Sequence, residues 1–233
     1  HRTLTRVRQV TFMPHWLTIP FLAALVLHVL VQLWLSHRQT RHVTAHQDEV
    51  PPAFSDAVSA AEHRKAADYT VARQRFSRLE LVYDAILLLV LTLGGGIAAL
   101  GRLATAIAGS NPIGTGTLHV LLVLLAMSLA TLPFSVWRTF VLEARFGFNR
   151  TTAAVFVADL VKAAALGALL GGGLVALVLW TMQASGTRWW LVAWAVWMAI
   201  SLLLLWAWPR WIAGFFNKFT PLADAALRAR IDA

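Results

Sequence analysis

The sequence predicts an all-α, polytopic membrane helix bundle with about five transmembrane helices and a partly helical cytoplasmic first loop. Three observations predict it. Of 233 residues, 58% are hydrophobic and only 13% charged, against about 25% charge in an ordinary soluble domain. Five apolar stretches reach the roughly 20 residues that a helix needs to cross the hydrocarbon core of a bilayer. No stretch shows the apolar-polar alternation of membrane β-barrel strands. Backbone groups in lipid must then be satisfied within helices. Mean hydropathy is +0.65.

The spans run at about 14–35, 80–101, 117–141, 153–182 and 189–208. In the first, His28 and Gln32 are spaced i and i+4, which puts both on one face, where interhelical hydrogen bonds account for them. Loop 36–79 begins as a linker, broken by Pro51-Pro52. It ends as a helix, because Ser59-x-x-Glu62 offers a capping box and Val58, Ala61, Lys65, Tyr69, Ala72, Phe76 and Leu79 recur at helical spacing. That helix is expected to continue into the second span. His42, His46 and Glu49 in the loop mimic half a metal site, but a solvated polar loop explains them without a metal. Gly94-Gly95-Gly96 in the second span and Gly167 with Gly171-Gly172-Gly173 in the fourth are expected to let helices approach closely. Asp84 lies near enough to a helix end to reach headgroup water. Asp159 and Lys162, three apart on the fourth helix, are placed to pair on one face. Trp189 and Trp190 at one end of the fifth span, and Trp206, Trp208 and Trp211 at the other, form interfacial belts.

A formal charge of +9 raises the question of nucleic acid, and its distribution answers it. Fourteen Lys and Arg fall in loop 36–78, around the 138–150 turn and after the fifth span, against five on the opposite side, with Lys162 inside the fourth span. The positive-inside rule puts the N-terminus outside and the large loop and C-terminus in the cytoplasm. The charge encodes topology, so no nucleic-acid partner is expected. Arg2, Arg6 and Arg8 precede the first span as in a signal peptide, but no small-x-small cleavage site follows it, so the helix is expected to be retained. Cysteine is absent, which excludes disulfides and thiolate metal sites. The chain begins with His and ends soon after its last span, and is read as a piece of a longer protein.

Motifs for chemistry are missing from the residues themselves. There is no G-x-S-x-G, no C-x-x-C, no Walker-type loop, and none of the eight histidines belongs to an H-E-x-x-H. On physical grounds Gly147 permits a backbone conformation that a Cβ would oppose, so that Phe146 and Phe148 are presented around a tight bend and Asn149 caps the helix after it. Either a plain helix-to-helix turn or a docking surface fits that reading. Pro221 stops helix continuation.

Four ordered segments carry a resemblance. They are Lys65-Ala66-Ala67-Asp68-Tyr69-Thr70 with Arg73 and Phe76; Leu132-Pro133-Phe134-Ser135-Val136-Trp137 with Thr139-Phe140-Val141-Leu142-Glu143; Arg145-Phe146-Gly147-Phe148-Asn149-Arg150-Thr151-Thr152, with Asp159 and Lys162 beyond it; and Asn217-Lys218-Phe219-Thr220-Pro221-Leu222. Together they resemble the N-terminal membrane domain of the CAAX prenyl protease 1 (Ste24-type) integral-membrane zinc metallopeptidases, metallopeptidase family 48. The alanine-rich style and short loops look like a bacterial member.

The resemblance implies a membrane domain over 1–213 and, from 214 to 233, the start of a truncated cytoplasmic catalytic domain. It implies zinc in the parent protein, held by an H-E-x-x-H motif and a further glutamate outside this chain, with no cofactor bound by the fragment itself. The chain lacks the zinc motif and is expected to be inactive alone. Its implied task is to wall part of an intramembrane chamber and to dock the catalytic domain. Glu143, Phe146, Gly147, Phe148, Asn149, Asn217, Lys218, Phe219 and Pro221 are the family-motif or docking positions. Asp159, Lys162, His28 and Gln32 are the polar candidates within the spans. Implied partners are the lipid bilayer, the C-terminal catalytic domain of the same protein, and a peptide or lipidated protein substrate. The implied location is a bacterial inner membrane. A non-catalytic scaffold, including a proteolytically inactive relative, or a transporter-like protein is the alternative.

Overall fold

The computed structural model describes residues 16–51 and 58–207. Its helices follow in the order α1 (Thr18–Ala45), α2 (Ala60–Thr92), α3 (Gly96–Ala108), α4 (Pro112–Trp137), α5 (Ala144–Phe146), α6 (Ala153–Leu166), α7 (Gly172–Ala184) and α8 (Trp189–Ala207). A π-helical turn, Arg138–Glu143, joins α4 to α5, and a second, Gly167–Gly171, joins α6 to α7. By length and composition four helical stretches can cross a membrane, or five when α2 and α3 count as one broken span. Among the described residues there is no strand. The chain divides into two compact units: residues up to Gly96 with Leu129–Arg150, and Ile97–Ser128 with residues from Thr151 onward.

In the first unit, α1 does not stop near residue 35 as its apolar run predicts. It continues to Ala45, because its polar end finds a partner in α2. Ser36 Oγ donates to Gln74 Oε1 at 2.9 Å, and Gln74 Nε2 donates to Gln39 Oε1 at 2.9 Å. Arg78 Nε donates to Ser36 Oγ at 2.9 Å, and its Nη2 donates to Thr40 Oγ1 at 2.6 Å. Residues read as a linker are thus one strand of a polar ladder between two helices.

The start of α2 follows the sequence. Ser59 Oγ accepts from the Glu62 backbone N–H at 3.3 Å, and Glu62 Oε2 accepts from the Ser59 backbone N–H at 3.0 Å. This reciprocal box satisfies two of the donors that a helix start leaves orphaned. The Ser59 backbone bond, then its hydroxyl bond, hold the Glu62 carboxyl below the ordinary carboxylate range. A depressed folded-state pKa means that the contribution is complete above the ordinary Glu value and is lost as pH falls through the lowered one. Ser59→Ala is expected to loosen the first turn by about 1 kcal/mol, read as faster amide exchange at Glu62 and His63. Glu62→Gln should remove the acid dependence of that exchange.

The second span is the main correction. It was expected to be continuous from about 80 to 101, with its glycine triplet packing against a neighbouring helix. Instead α2 runs from Ala60 through Thr92, and the chain breaks before α3 resumes at Gly96. Gly95 has φ +77°, a conformation that L side chains resist. A Cβ on Gly94 would stand 2.5 Å from the Val90 carbonyl oxygen, and one on Gly96 would stand 2.9 Å from Leu91 Cα. The triplet folds the chain back against its own preceding turn.

In the second unit, Gly172 has the packing role expected of the fourth-span glycines, whereas a Cβ on Gly167, Gly171 or Gly173 would meet nothing within 4 Å. A Cβ on Gly116 would meet Leu179 at 2.7 Å, and Gly172 lies against Leu121 and Thr117, so α4 and α7 approach closely. Asn111 caps α4, its Oδ1 accepting from the N–H groups of Ile113 at 3.1 Å and Gly114 at 3.2 Å, with Pro112 at the first helical position, where no N–H is needed. The helix therefore begins before the expected residue 117. His119 Nε2 lies 2.9 Å from the Ile97 carbonyl and ties α3 to α4.

The buried apolar set is small: Ala67, Leu91, Ala104, Leu142 and Ala207 among the described residues. Large side chains point outward instead, with Trp34 59%, Trp194 60% and Leu205 74% exposed. In water so much apolar surface would drive association. In a bilayer acyl chains cover it, and helices need only small residues and polar contacts to meet. Trp189, Trp190 and Trp206 are exposed as interfacial anchors should be, whereas Trp208 and Trp211 lie outside the described residues.

Candidate functional site

Within the first unit, two of the sequence segments meet. Helix α2 carries Lys65 and Tyr69, and the end of α5 with the turn after it carries Phe146, Gly147 and Phe148. The turn is set by hydrogen bonding: Gly147 N–H donates to the Ala144 carbonyl at 3.1 Å and Phe148 N–H to the Glu143 carbonyl at 2.9 Å. With Gly147 at φ +76°, this is a Schellman arrangement, which closes a helix with a left-handed glycine. The expected role of Gly147 is observed. Asn149 does not cap the following helix; Thr152 does, its Oγ1 accepting from the Val155 N–H at 3.3 Å. The Asn149 N–H turns back to Glu143 O at 3.3 Å. The cap moves three residues on because α6 starts only at Ala153.

The turn presents its two phenylalanines to one tyrosine. Tyr69 makes edge contacts to Phe146 at 5.3 Å and to Phe148 at 4.8 Å, the arrangement that aromatic quadrupoles favour. Lys65 Nζ lies 5.5 Å from the Phe148 ring centre, and Arg145 lies over Phe146 at 5.7 Å. A Cβ on Gly147 would meet only Lys65 Nζ, at an ordinary contact distance of 3.7 Å, so the left-handed backbone and not crowding is what calls for glycine here. Phe148 remains 50% exposed. Its outer half is available for another surface.

Beside this cluster lies a second one that the sequence reading missed. Arg138, in the π-helical turn, binds both carboxylate oxygens of Glu80 and sits 5.9 Å over the Phe76 ring. Phe76 and Tyr83 flank Phe134, at 5.8 Å and 4.7 Å. Tyr83 OH donates to the Ala130 carbonyl at 2.9 Å, close to where Pro133 inside α4 removes a ladder donor. In the sequence Glu80 is one acidic residue at the edge of an apolar run, and Arg138 reads as a topology charge. The available signal was that Phe76 and the segment around Phe134 both belong to the ordered motifs.

The polar candidates within the spans fare differently. Lys162 Nζ and Asp159 Oδ1 are 3.5 Å apart, the pair that their spacing predicted. His28 and Gln32 are exposed on α1, and neither forms an interhelical hydrogen bond among the described residues; Gln32 instead borders an open groove. Both residues are exposed at this level of α1, so the expected bonding does not arise. His42 and His46 stack with ring centres 4.4 Å apart, and His46 Nδ1 lies 2.9 Å from the His42 carbonyl. Among the described residues no group of His, Asp and Glu could hold a metal ion, so the residues present here do not fit zinc. Asn217, Lys218, Phe219 and Pro221 lie outside the described residues.

A family model described as the CAAX prenyl protease N-terminal region, with five membrane helices, matches residues 39–218. The chain is 29% identical over 228 residues to a CAAX prenyl protease 1 homolog of Oryza sativa subsp. japonica, covering 93% of this chain and 53% of the rice protein. It is 30% identical over 223 residues to the human CAAX prenyl protease 1 homolog, covering 91% of this chain and 46% of that protein. The crystal structure of S. mikatae Ste24p shares the fold, with a TM-score of 0.80 at 24% identity over 90% of this chain and 50% of that one. The chain spans about half the length of the curated relatives it matches. These matches favour a protease membrane domain over the scaffold or transporter-like reading, and the apolar helices make the chain a multi-pass integral membrane protein. With the greater part of its length inside the family match, the chain belongs to the family of CAAX prenyl protease N-terminal membrane domains.

Proposed function

We propose that this chain is the membrane half of a zinc metalloendopeptidase, and that it walls part of an intramembrane chamber and docks the catalytic half on the Tyr69–Phe146–Phe148 face. The observation that carries the docking role is Phe148. Its ring is held at one edge by Tyr69, on a turn fixed by Gly147, and yet is half exposed. An aromatic side chain that is rigid and uncovered is what an interface anchor needs.

Zinc, by this reading, is supplied by ligands in the remainder of the parent protein, whose relatives are about twice as long as this chain. Held there, zinc would supply Lewis-acid activation for peptide hydrolysis, chemistry that the described residues of this chain do not supply. The substrate is a peptide or lipidated protein segment that enters from the bilayer. The distribution of Lys and Arg supports a cytoplasmic C-terminus and an outside N-terminus, and the alanine-rich spans and short loops are the ground for placing the protein in a bacterial inner membrane. Residues 214–233 lead into the catalytic domain.

Phe148→Ala in the full-length protein tests the docking role. Truncating a half-exposed ring should leave folding nearly unchanged, while peptidase activity falls by about tenfold or more as the catalytic half loses its anchor. Unchanged activity together with unchanged zinc content would show that the turn is only a helix connection. Cysteine labelling that places position 60 outside the cytoplasm would refute the topology.

A further inference from the structure

We propose that the groove between the polar end of α1 and the facing stretch of α2 binds the phosphate of an anionic phospholipid where α1 leaves the hydrocarbon layer. The inference does not depend on peptidase activity. Four arginines converge on this region. Arg38 and Arg41 border an open groove of about 1040 Å³, and Arg41, Arg75 and Arg78 border an adjoining one of about 480 Å³. Among the described residues lining either groove there is no carboxylate.

The nearby loop acid Asp48 is engaged elsewhere, 3.2 Å from Arg64. Arg41 and Arg75 have no ion pair among the described residues. Arg78 is already oriented, its Nε and Nη2 fixed by Ser36 and Thr40. Guanidinium forks match phosphate oxygens in geometry and are less strongly hydrated than ammonium groups. A topology signal needs only positive charge on one side of the membrane; it does not need arginines converging from two helices.

The walls of the groove select a lipid over free phosphate. Trp34 and Leu35 line it directly below the arginines, and they are 59% and 44% exposed. Arg38 lies over the Trp34 ring at 5.7 Å, so an aromatic residue of the interfacial type carries a cation at its upper edge. An anionic headgroup at the arginines would leave its acyl chains against Trp34, Leu35 and the apolar face of α1 beneath. Inorganic phosphate has no apolar part with which to use those walls.

The test is a titration of the purified chain in detergent with phosphatidylglycerol and, separately, phosphatidylcholine, with bound lipid counted by native mass spectrometry. The wild type is expected to prefer phosphatidylglycerol. Each basic side chain near an anionic headgroup contributes about fivefold, so Arg41→Gln with Arg75→Gln should weaken phosphatidylglycerol binding about thirtyfold, with phosphatidylcholine unaffected. The charge-preserving pair Arg41→Lys with Arg75→Lys should keep most of the preference, and unchanged helical circular dichroism in each variant separates lost binding from lost folding. Arg73→Gln with Arg150→Gln, outside the grooves, should change little. Phosphatidylglycerol binding that survives the Gln pair, or that falls equally in the Arg73 and Arg150 control, would overturn the proposal. Inorganic phosphate competing as effectively as the lipid would overturn the lipid assignment.

Discussion

Glu80→Gln should lower the stability of the membrane domain by about 2 kcal/mol. Glu80 is 18% exposed in its side chain and Arg138 44%. Breaking a fully buried ion pair by removing one partner costs about 3–5 kcal/mol, and the partial exposure of Arg138 reduces that figure. What remains is an uncompensated guanidinium above Phe76, on a π-helical turn whose neighbours Phe134 and Tyr83 are packed around the same point. The measurement is an SDS titration of the dodecyl-maltoside-solubilised chain followed by circular dichroism. Arg138→Gln should act like Glu80→Gln. The double variant should recover more than half of the loss, because neither charge is then left alone. Single variants as stable as the wild type would reduce the pair to surface decoration. Since Arg138 sits between α4 and the Gly147 turn, the singles should also disturb the Tyr69–Phe148 contact, visible as a shift in the Phe148 ring resonances.

Positions whose physics is local were readable from the chain. The Ser59–Glu62 box, the left-handed Gly147 and the Asp159–Lys162 pair each depend on residues within three or four of one another, and each is present. The beginnings of α6 and α8 likewise match the start of their apolar runs. Contacts between distant segments were not readable. Tyr69 is one position in a helical repeat and a motif, with no partner indicated, until the fold sets it against Phe146 and Phe148, and Ser36 through Ala45 look like linker until Gln74 and Arg78 are seen opposite them. The two π-helical turns left no mark, because a shift from i→i−4 to i→i−5 bonding has no residue signature of its own. Resemblance compensated for this at the turn, since ordered motifs marked both halves of the aromatic cluster without showing that they touch.

Gly94→Ala should destabilise the domain by about 2 kcal/mol, and Gly95→Ala by about 1 kcal/mol, for different reasons. At Gly95 a Cβ would meet nothing within 4 Å, so the cost is the left-handed backbone alone. At Gly94 the new methyl would stand 2.5 Å from the Val90 carbonyl oxygen, and a backbone atom cannot rotate away. Relief would require the end of α2 to unwind or the break to move. Gly173 provides the contrast. It lies within α7 with open space where its Cβ would be, so Gly173→Ala should stabilise by about 1 kcal/mol through helix propensity. The reading of both glycine triplets as packing stripes would instead make Gly173→Ala as damaging as Gly94→Ala. Detergent unfolding of the three variants decides between them. If Gly94→Ala melts with the wild type, the second span can run through residues 93–95 as a continuous helix, and the broken span would be only one of two accessible forms.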